Sequence, residues 1–291
     1  MTQSPVVESM SSTPSSLWSM TKTSSFGLVV EARLDDLSVT TLPVSWLRGL
    51  VDEHLLVVLR GFRGFASSEE FGRYSATWGP LLEWNFGTVL EVKEDPSTVD
   101  TVFDSSCIPL HWDAMFNQIA PQYIIFEGIR SPGPRDGGRT TFCDTNAVLR
   151  KATEEQRARW RRTTVTYSVK RLAHYGGTVT SRLVEPHPLI PGREVIRFGE
   201  PEADDVRLKN PVTRVYDAPD YARVQDMLDE VQAALNDPDC FYAHPWRDGD
   251  ILISDNYSLL HGREAFTAHS FRHLRRTQVL ATPPHRNLWH P

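Results

Sequence analysis

His111 and Asp113 stand two residues apart in the stretch LHWDAMF, Leu110 to Phe116, with Trp112 between them. On a strand, residues i and i+2 share a face, so the imidazole and the carboxylate project together. Trp112 then points the opposite way, as core packing behind the ligand strand. A metal site needs at least one more donor. Of the eight histidines downstream, only His261 directly follows a strand–turn unit, in GDILISDNYSLLHGREAF. There the strand Ile251 to Ser254 and the turn Asp255-Asn256 deliver it to a sheet end. Two neutral imidazoles and one carboxylate are the ligand set of a facial triad for non-haem Fe(II), which leaves three coordination positions open. An HxD tripeptide alone is common and mostly unrelated to metal, so the pair gains weight only with further elements.

The terminal stretch FRHLRRTQVL, Phe271 to Leu280, supplies one. Alternation puts Arg272, Leu274, Arg276 and Gln278 on one face and His273, Arg275, Thr277 and Val279 on the other. Arg272 and Arg276 are then about 13 Å apart along the strand by the usual rise per residue. Two inward guanidiniums are costly unless anions meet them, and a guanidinium is the planar fork that fits a carboxylate. The competing reading is an exposed basic strand that blunts a sheet edge.

These residues must be positioned by a scaffold of many short strands. Leu42 to His54 is an amphipathic helix that feeds the apolar strand LLVVLRGF, Leu55 to Phe62. Ser67 with Glu70 has the capping-box spacing and opens a helix to about Trp78. Gln122 to Ile129 reads as a core strand, and the turn-rich Ser131 to Gly138 leads into RTTFC. One helix spans roughly Thr145 to Arg161, and another carries the stripe Val224, Leu228, Val231 and Leu235 behind an Asp220 cap. The class is α+β, mainly β: a jelly roll with peripheral helices. Residues 1–25, rich in Ser and Thr, read as a disordered tail, and 26–291 as one domain.

The chain has 291 residues, 40% of them hydrophobic and 23% charged, which suits a globular protein with a substantial core. No run of 18 apolar residues offers a membrane span, and a formal net charge of −6 argues against a nucleic-acid partner. Three cysteines without a CxxC read as reduced thiols in a cytoplasmic protein. A homo-oligomer is compatible with all of this.

Taken in order, HWD at 111, GGRTTF at 137–142, GDILISDNYSLLHGREAF and FRHLRRTQVL resemble the taurine dioxygenase and clavaminate synthase-like Fe(II)/2-oxoglutarate dioxygenases, over about Leu55 to Leu280. The resemblance implies a double-stranded β-helix with a long insertion between the ligand strands, within which Arg171 to Leu208 is either a lid or an ordinary excursion. It implies His111, Asp113 and His261 as iron ligands. Thr140 and Arg272, the latter eleven residues after the distal histidine, correspond to the pair that holds the far carboxylate of 2-oxoglutarate. Arg276 falls where relatives place an arginine near the cosubstrate's other end or the substrate's acidic group. Trp84, Asn85 and Phe86 lie where relatives shape the pocket.

Within that family the stretches PLHWDAMFNQIAPQY and GGRTTFCDT are most similar to the PvcB-type enzymes of isonitrile pathways. The implied activity is O₂-dependent desaturation of a small amino-acid-derived carboxylate, with tyrosine isonitrile favoured. The retained Asp113 disfavours halogenation, because halogenating relatives replace that carboxylate with a small residue. A hydroxylating dioxygenase of a sulfonate or aryloxyalkanoate is the alternative enzyme. A non-catalytic metal-binding jelly roll is the alternative class, although structural sites are usually closed, four-ligand and thiolate-bearing.

Overall fold

The computed structural model describes residues 17–172, 175–203 and 208–290. Its centre is a pair of facing sheets. The larger has seven strands in the order Trp18–Lys22, Leu28–Ala32, Leu56–Arg60, Ile251–Asp255, Tyr123–Arg130, His273–Val279 and Leu90–Lys93. The smaller has four, in the order Phe241–His244, Thr140–Asp144, Leu259–Arg263 and Ile108–His111. Neighbours run antiparallel, except for Leu28–Ala32 beside Leu56–Arg60.

Alternation within each strand builds three apolar layers. Leu56, Val58, Ile124, Phe126, Leu252 and Leu274 of the large sheet meet Phe142 and Leu259 of the small one between the sheets. The opposite side of the large sheet, with Val57, Leu59, Ile125 and Ile253, packs under the helices Val44–His54 and Ser68–Ala76. The outer side of the small sheet presents Leu110, Cys143 and Leu260 to Trp160, Met227 and Val231 of the helices Glu154–Arg162 and Val224–Leu235. Each helical layer covers a face that would otherwise expose a continuous apolar surface.

Several expectations are corrected. The first 25 residues are not a uniform tail: Trp18–Lys22 pairs with Leu28–Ala32, and Trp18 packs on Trp46 with ring centroids 5.5 Å apart. Residues 1–16 lie outside the described residues. The helix expected over Thr145 to Arg161 is two helices, Thr145–Lys151 and Glu154–Arg162. Thr153 interrupts it because its hydroxyl accepts from the Gln156 amide while the Gln156 side chain accepts from the Thr153 N–H, a complete capping box. The helix Val224–Leu235 starts from Arg223 without a side-chain cap, and Asp220 instead pairs with Arg162. The terminal strand begins at His273, since Phe271 takes a left-handed backbone and a register shift follows between His273 and Leu274. The segment Arg171 to Leu208, a candidate lid or an ordinary excursion, contains the strands Gly177–Arg182, Val184–Pro186 and Glu194–Ile196. Among the described residues no helix is long and apolar enough to cross a membrane.

Candidate active site

His111 closes the strand Ile108–His111, and in the register of the small sheet its partner is His261. His261 therefore sits inside a strand, Leu259–Arg263, and not beyond a turn at a sheet end. Leu259 and His261 face inward while Leu260 goes to the outer layer, as alternation requires. Trp112 also goes outward, 1% exposed, with its ring edge-on to Tyr167 at 5.5 Å. The outcome is that ligand atoms of His111, Asp113 and His261 all lie within 4.8 Å of one another.

The three side chains carry the protonation states that a metal needs. Burial pushes the His261 pKa down to about 3, with the neighbouring His111 adding to the effect. Burial likewise lowers His111, partly opposed by Asp113. His111 Nδ1 lies 2.9 Å from the Pro109 carbonyl, so Nδ1 carries the proton and Nε2 keeps its lone pair. Burial alone would raise the Asp113 carboxyl, but Arg276, His261, His111 and the Gln278 amide together hold it below its ordinary value. Two neutral imidazoles and one ionised carboxylate in a buried cluster fit Fe(II) with open positions.

Asp113 is clamped at both its carboxylate and its backbone. Gln278 Nε2 donates to Oδ2 at 2.6 Å, and Arg276 Nη1 lies 3.3 Å from Oδ2 and 3.4 Å from Oδ1. Asn256 Oδ1 accepts from the Asp113 N–H at 2.8 Å, and its Nδ2 donates to the carbonyls of Asp113 (3.2 Å) and Pro121 (2.9 Å). The next residue, Ala114, has φ of 70°, a costly left-handed conformation for a residue with a Cβ. Asn287 steadies it by donating to the Ala114 and Asn117 carbonyls, each at 2.8 Å.

The second constellation is an anion cradle. Arg272 is 4% exposed, donates through Nε to the Gly138 carbonyl at 3.0 Å and lies 3.3 Å from Thr140 Oγ1 through Nη2. Among the described residues no carboxylate pairs with it, and burial lowers its pKa well below the ordinary value. Thr140 Oγ1 also accepts from the Trp246 indole N–H at 2.9 Å. Indole and guanidinium only donate, so the threonine's own O–H remains free to donate elsewhere. Gly138 is required here: its φ is 74°, and a Cβ would lie 3.1 Å from Phe266 Cβ and 3.2 Å from Arg272 Cδ. A buried guanidinium without an anion, beside a free hydroxyl donor, fits an incoming carboxylate.

Arg275 leaves the strand on the other face, with Nε 3.3 Å from Glu91 and Nη1 3.3 Å from Glu127. The inward pair is thus Arg272 and Arg276, but Arg276 already has Asp113 as an anionic partner. The pocket over the cluster is walled by Trp84, Val102, Phe116, Tyr175, Leu208 and Arg276 among others. Trp84 is in that wall; Asn85 and Phe86 are not, and Phe86, 42% exposed, stacks on Trp84 with ring centroids 6.3 Å apart. Gln278, Asn256 and Trp246 were not anticipated as site residues. Only Gln278 carried a signal, its parity with Arg272 and Arg276.

Comparison with known proteins gives a consistent picture. Residues 21–278 match the model of the taurine catabolism dioxygenase TauD, TfdA family. The chain is 41% identical over 262 residues to a tyrosine isonitrile desaturase of Erwinia amylovora, covering 89% of this chain and 88% of that protein. It is 37% identical over 277 residues to a 3-((Z)-2-isocyanoethenyl)-1H-indole synthase of Fischerella ambigua, covering 94% and 100%. A solved structure of PvcB, an Fe, alpha-ketoglutarate dependent oxygenase from an isonitrile synthetic pathway, superposes with a TM-score of 0.77 at 34% identity, covering 94% of this chain and 95% of that one.

Proposed function

Because the chain belongs to the TauD/TfdA dioxygenase family, we propose that it is the Fe(II)- and 2-oxoglutarate-dependent desaturase of an amino-acid-derived isonitrile, with tyrosine isonitrile the favoured substrate. The observation that carries the reading is Arg272, a buried guanidinium with no carboxylate partner among the described residues, in the same inter-sheet space as a cluster of two neutral imidazoles and one carboxylate. His111, Asp113 and His261 hold the iron. Arg272 and the Thr140 hydroxyl hold the far carboxylate of 2-oxoglutarate. When bound, iron with 2-oxoglutarate and O₂ supplies the oxidising power to take two hydrogens from the substrate, with succinate, CO₂ and water released.

The rest is the work of the chain's own residues. Asn256 with Asn287 holds the Asp113 turn against strain. Among the described residues Arg276 meets an acceptor only through Nη1, on Asp113, so its other donors can serve a substrate carboxylate or the near carboxylate of 2-oxoglutarate. Trp84, Phe116 and Tyr175 offer aromatic surface to an aromatic side chain. The 41% identity to a tyrosine isonitrile desaturase supports that choice of ring. The relative from Fischerella ambigua is named for an isocyanoethenyl indole, so an indole-bearing isonitrile is the second substrate to assay. We place the enzyme in the cytoplasm, with Cys107, Cys143 and Cys240 as free thiols.

The test is anaerobic loading with Fe(II), 2-oxoglutarate and tyrosine isonitrile, then exposure to O₂ and mass analysis. A product lighter by two hydrogens, with or without loss of CO₂, is expected, and His111→Ala should abolish it with the fold intact. A product heavier by one oxygen, or succinate released with the isonitrile unchanged, overturns the desaturase reading.

A further inference from the structure

The Asp113 carboxylate is not held by charge alone. Its Oδ2 accepts from Gln278 Nε2 at 2.6 Å, while Oδ1 is the oxygen that faces His261 Nε2, at 3.9 Å. Gln278 is 3% exposed, and its other amide atom, Oε1, accepts from the Trp84 indole N–H at 3.1 Å. An indole N–H can only donate, so the atom facing it must be the amide oxygen and the atom facing Asp113 must be the NH₂. Trp84 therefore removes the flip ambiguity of the glutamine and fixes it as a donor to Asp113.

Trp84 is itself held in place. Its backbone exchanges two hydrogen bonds with Gly87 at 3.0 Å each, closing the tight turn through Asn85 and Phe86, and Gly87 takes φ of 101° to allow it. Leu82 N–H donates to the Gln278 carbonyl at 2.8 Å, which sets this loop in register with the terminal strand. The indole also lies in the pocket wall.

A carboxylate that ligates through both oxygens takes a coordination position that a facial triad must keep open for cosubstrate and O₂. A donor on Oδ2 turns that oxygen outward. We propose that Gln278, locked by the Trp84 indole, is a positioning residue that keeps Asp113 a one-oxygen ligand, so that a change in the pocket wall is felt at the metal. The inference rests on the reading of His111, Asp113 and His261 as the iron ligands.

The test is anaerobic Fe(II) titration of the apo chain, with the absorption band of the Fe(II)–2-oxoglutarate complex and the melting temperature recorded alongside. Gln278→Met keeps volume and removes the donor; it should weaken Fe(II) binding about 10- to 100-fold, the usual effect of losing a partner of a metal ligand, and shift the band. Trp84→Phe keeps a ring in the wall and removes the N–H that holds Gln278 Oε1; it should weaken binding several-fold and shift the band the same way, with only a modest drop in melting temperature. The double variant should bind no more weakly than Gln278→Met, since the two act in series. Wild-type Fe(II) affinity in Gln278→Met, or full additivity in the double variant, overturns the inference and leaves the iron reading standing. Should Gln278→Met fail to fold, Trp84→Phe decides alone, and an unchanged affinity and band there overturn it. A wild-type chain that binds no Fe(II) removes the iron reading and this inference together.

Discussion

Arg275 and Arg276 are adjacent in sequence and belong to opposite sides of the large sheet: Arg276 reaches Asp113, and Arg275 reaches Glu91 and Glu127. With Arg272 also on the inner side, just before the strand begins, three nearby arginines divide between two unrelated jobs. The inner guanidiniums face the space between the sheets, and the outer one pairs with two carboxylates, of which Glu127 is 3% exposed.

That sorting gives the first prediction. A charge-assisted pair with a buried guanidinium contributes a few kcal/mol, so Arg272→Ala should raise the dissociation constant of 2-oxoglutarate by roughly a hundredfold or more. Arg275→Ala should leave that constant unchanged and lower thermal stability, because Glu127 is left buried without its cation. Calorimetric binding and melting curves on both variants separate the effects. The opposite assignment of the two losses refutes the parity argument.

Asn256 is the second. It makes three hydrogen bonds to the chain on either side of the Asp113 turn while 1% exposed. Asn256→Ala leaves buried donors and acceptors unsatisfied, each costing about 1–3 kcal/mol, and frees the strained Ala114 turn. We expect a lower melting temperature together with weaker Fe(II) binding, and partial recovery of stability on adding the metal. A stability loss with unaltered Fe(II) affinity limits Asn256 to a structural role.

These two cases mark how far the sequence could be read. The opposite faces of Arg275 and Arg276 follow from a local rule, period two along one strand, and need no knowledge of what lies opposite. Arg272 precedes the strand at His273 and keeps the inward side that the same count assigns it. The same rule places His111 with Asp113 and sends Trp112 away. Asn256 was legible only as a turn residue, because its partner Asp113 is 143 positions distant and no local pattern announces the meeting. His261 was expected beyond a turn, since the pairing that makes Leu259–Arg263 a strand comes from Thr140–Asp144 and Ile108–His111, far earlier in the chain. The strand at Trp18 was hidden by its Ser- and Thr-rich setting, and it is the contact with Trp46 and the pairing with Leu28–Ala32 that order it.

Asp250 carries the third prediction, a pH dependence. Burial pushes its carboxyl up, but Arg60, at 2.9 and 2.7 Å, and His244, at 3.2 Å, outweigh that and set the pKa below the ordinary 3.8. A lowered folded-state pKa means the unfolded chain takes the proton first, so the stabilisation is present above 3.8 and lost as pH falls through the folded value. Asp250→Asn should cost roughly 3–5 kcal/mol near neutral pH, as for breaking one side of a buried pair. The gap to wild type in denaturant midpoints should narrow below pH 3.8. A gap that stays constant down to strong acid denies the ion pair its role.

The last prediction concerns the Thr140 hydroxyl. Its oxygen receives the Trp246 N–H at 2.9 Å and has Arg272 Nη2 at 3.3 Å, two groups that cannot accept in return. Both lone pairs are thereby engaged, and the O–H is directed to whatever acceptor enters the cradle. Trp246→Phe keeps the aromatic packing against Phe126 and His244, with centroids 6.1 and 4.7 Å away, and deletes only the N–H. The hydroxyl then gains freedom to rotate and to take an alternative donor. A neutral hydrogen bond contributes about 1 kcal/mol, so the dissociation constant of 2-oxoglutarate should rise about five- to tenfold. Thr140→Val removes the hydroxyl outright and should give a larger loss. In the Thr140→Val background Trp246→Phe should have no further effect on cosubstrate affinity, because the indole acts only through the hydroxyl. Calorimetric titration of 2-oxoglutarate into the four proteins reads this directly. A Trp246→Phe penalty that persists undiminished without the hydroxyl means the indole touches the cosubstrate or shapes the cradle itself, and the directed O–H is then not its function.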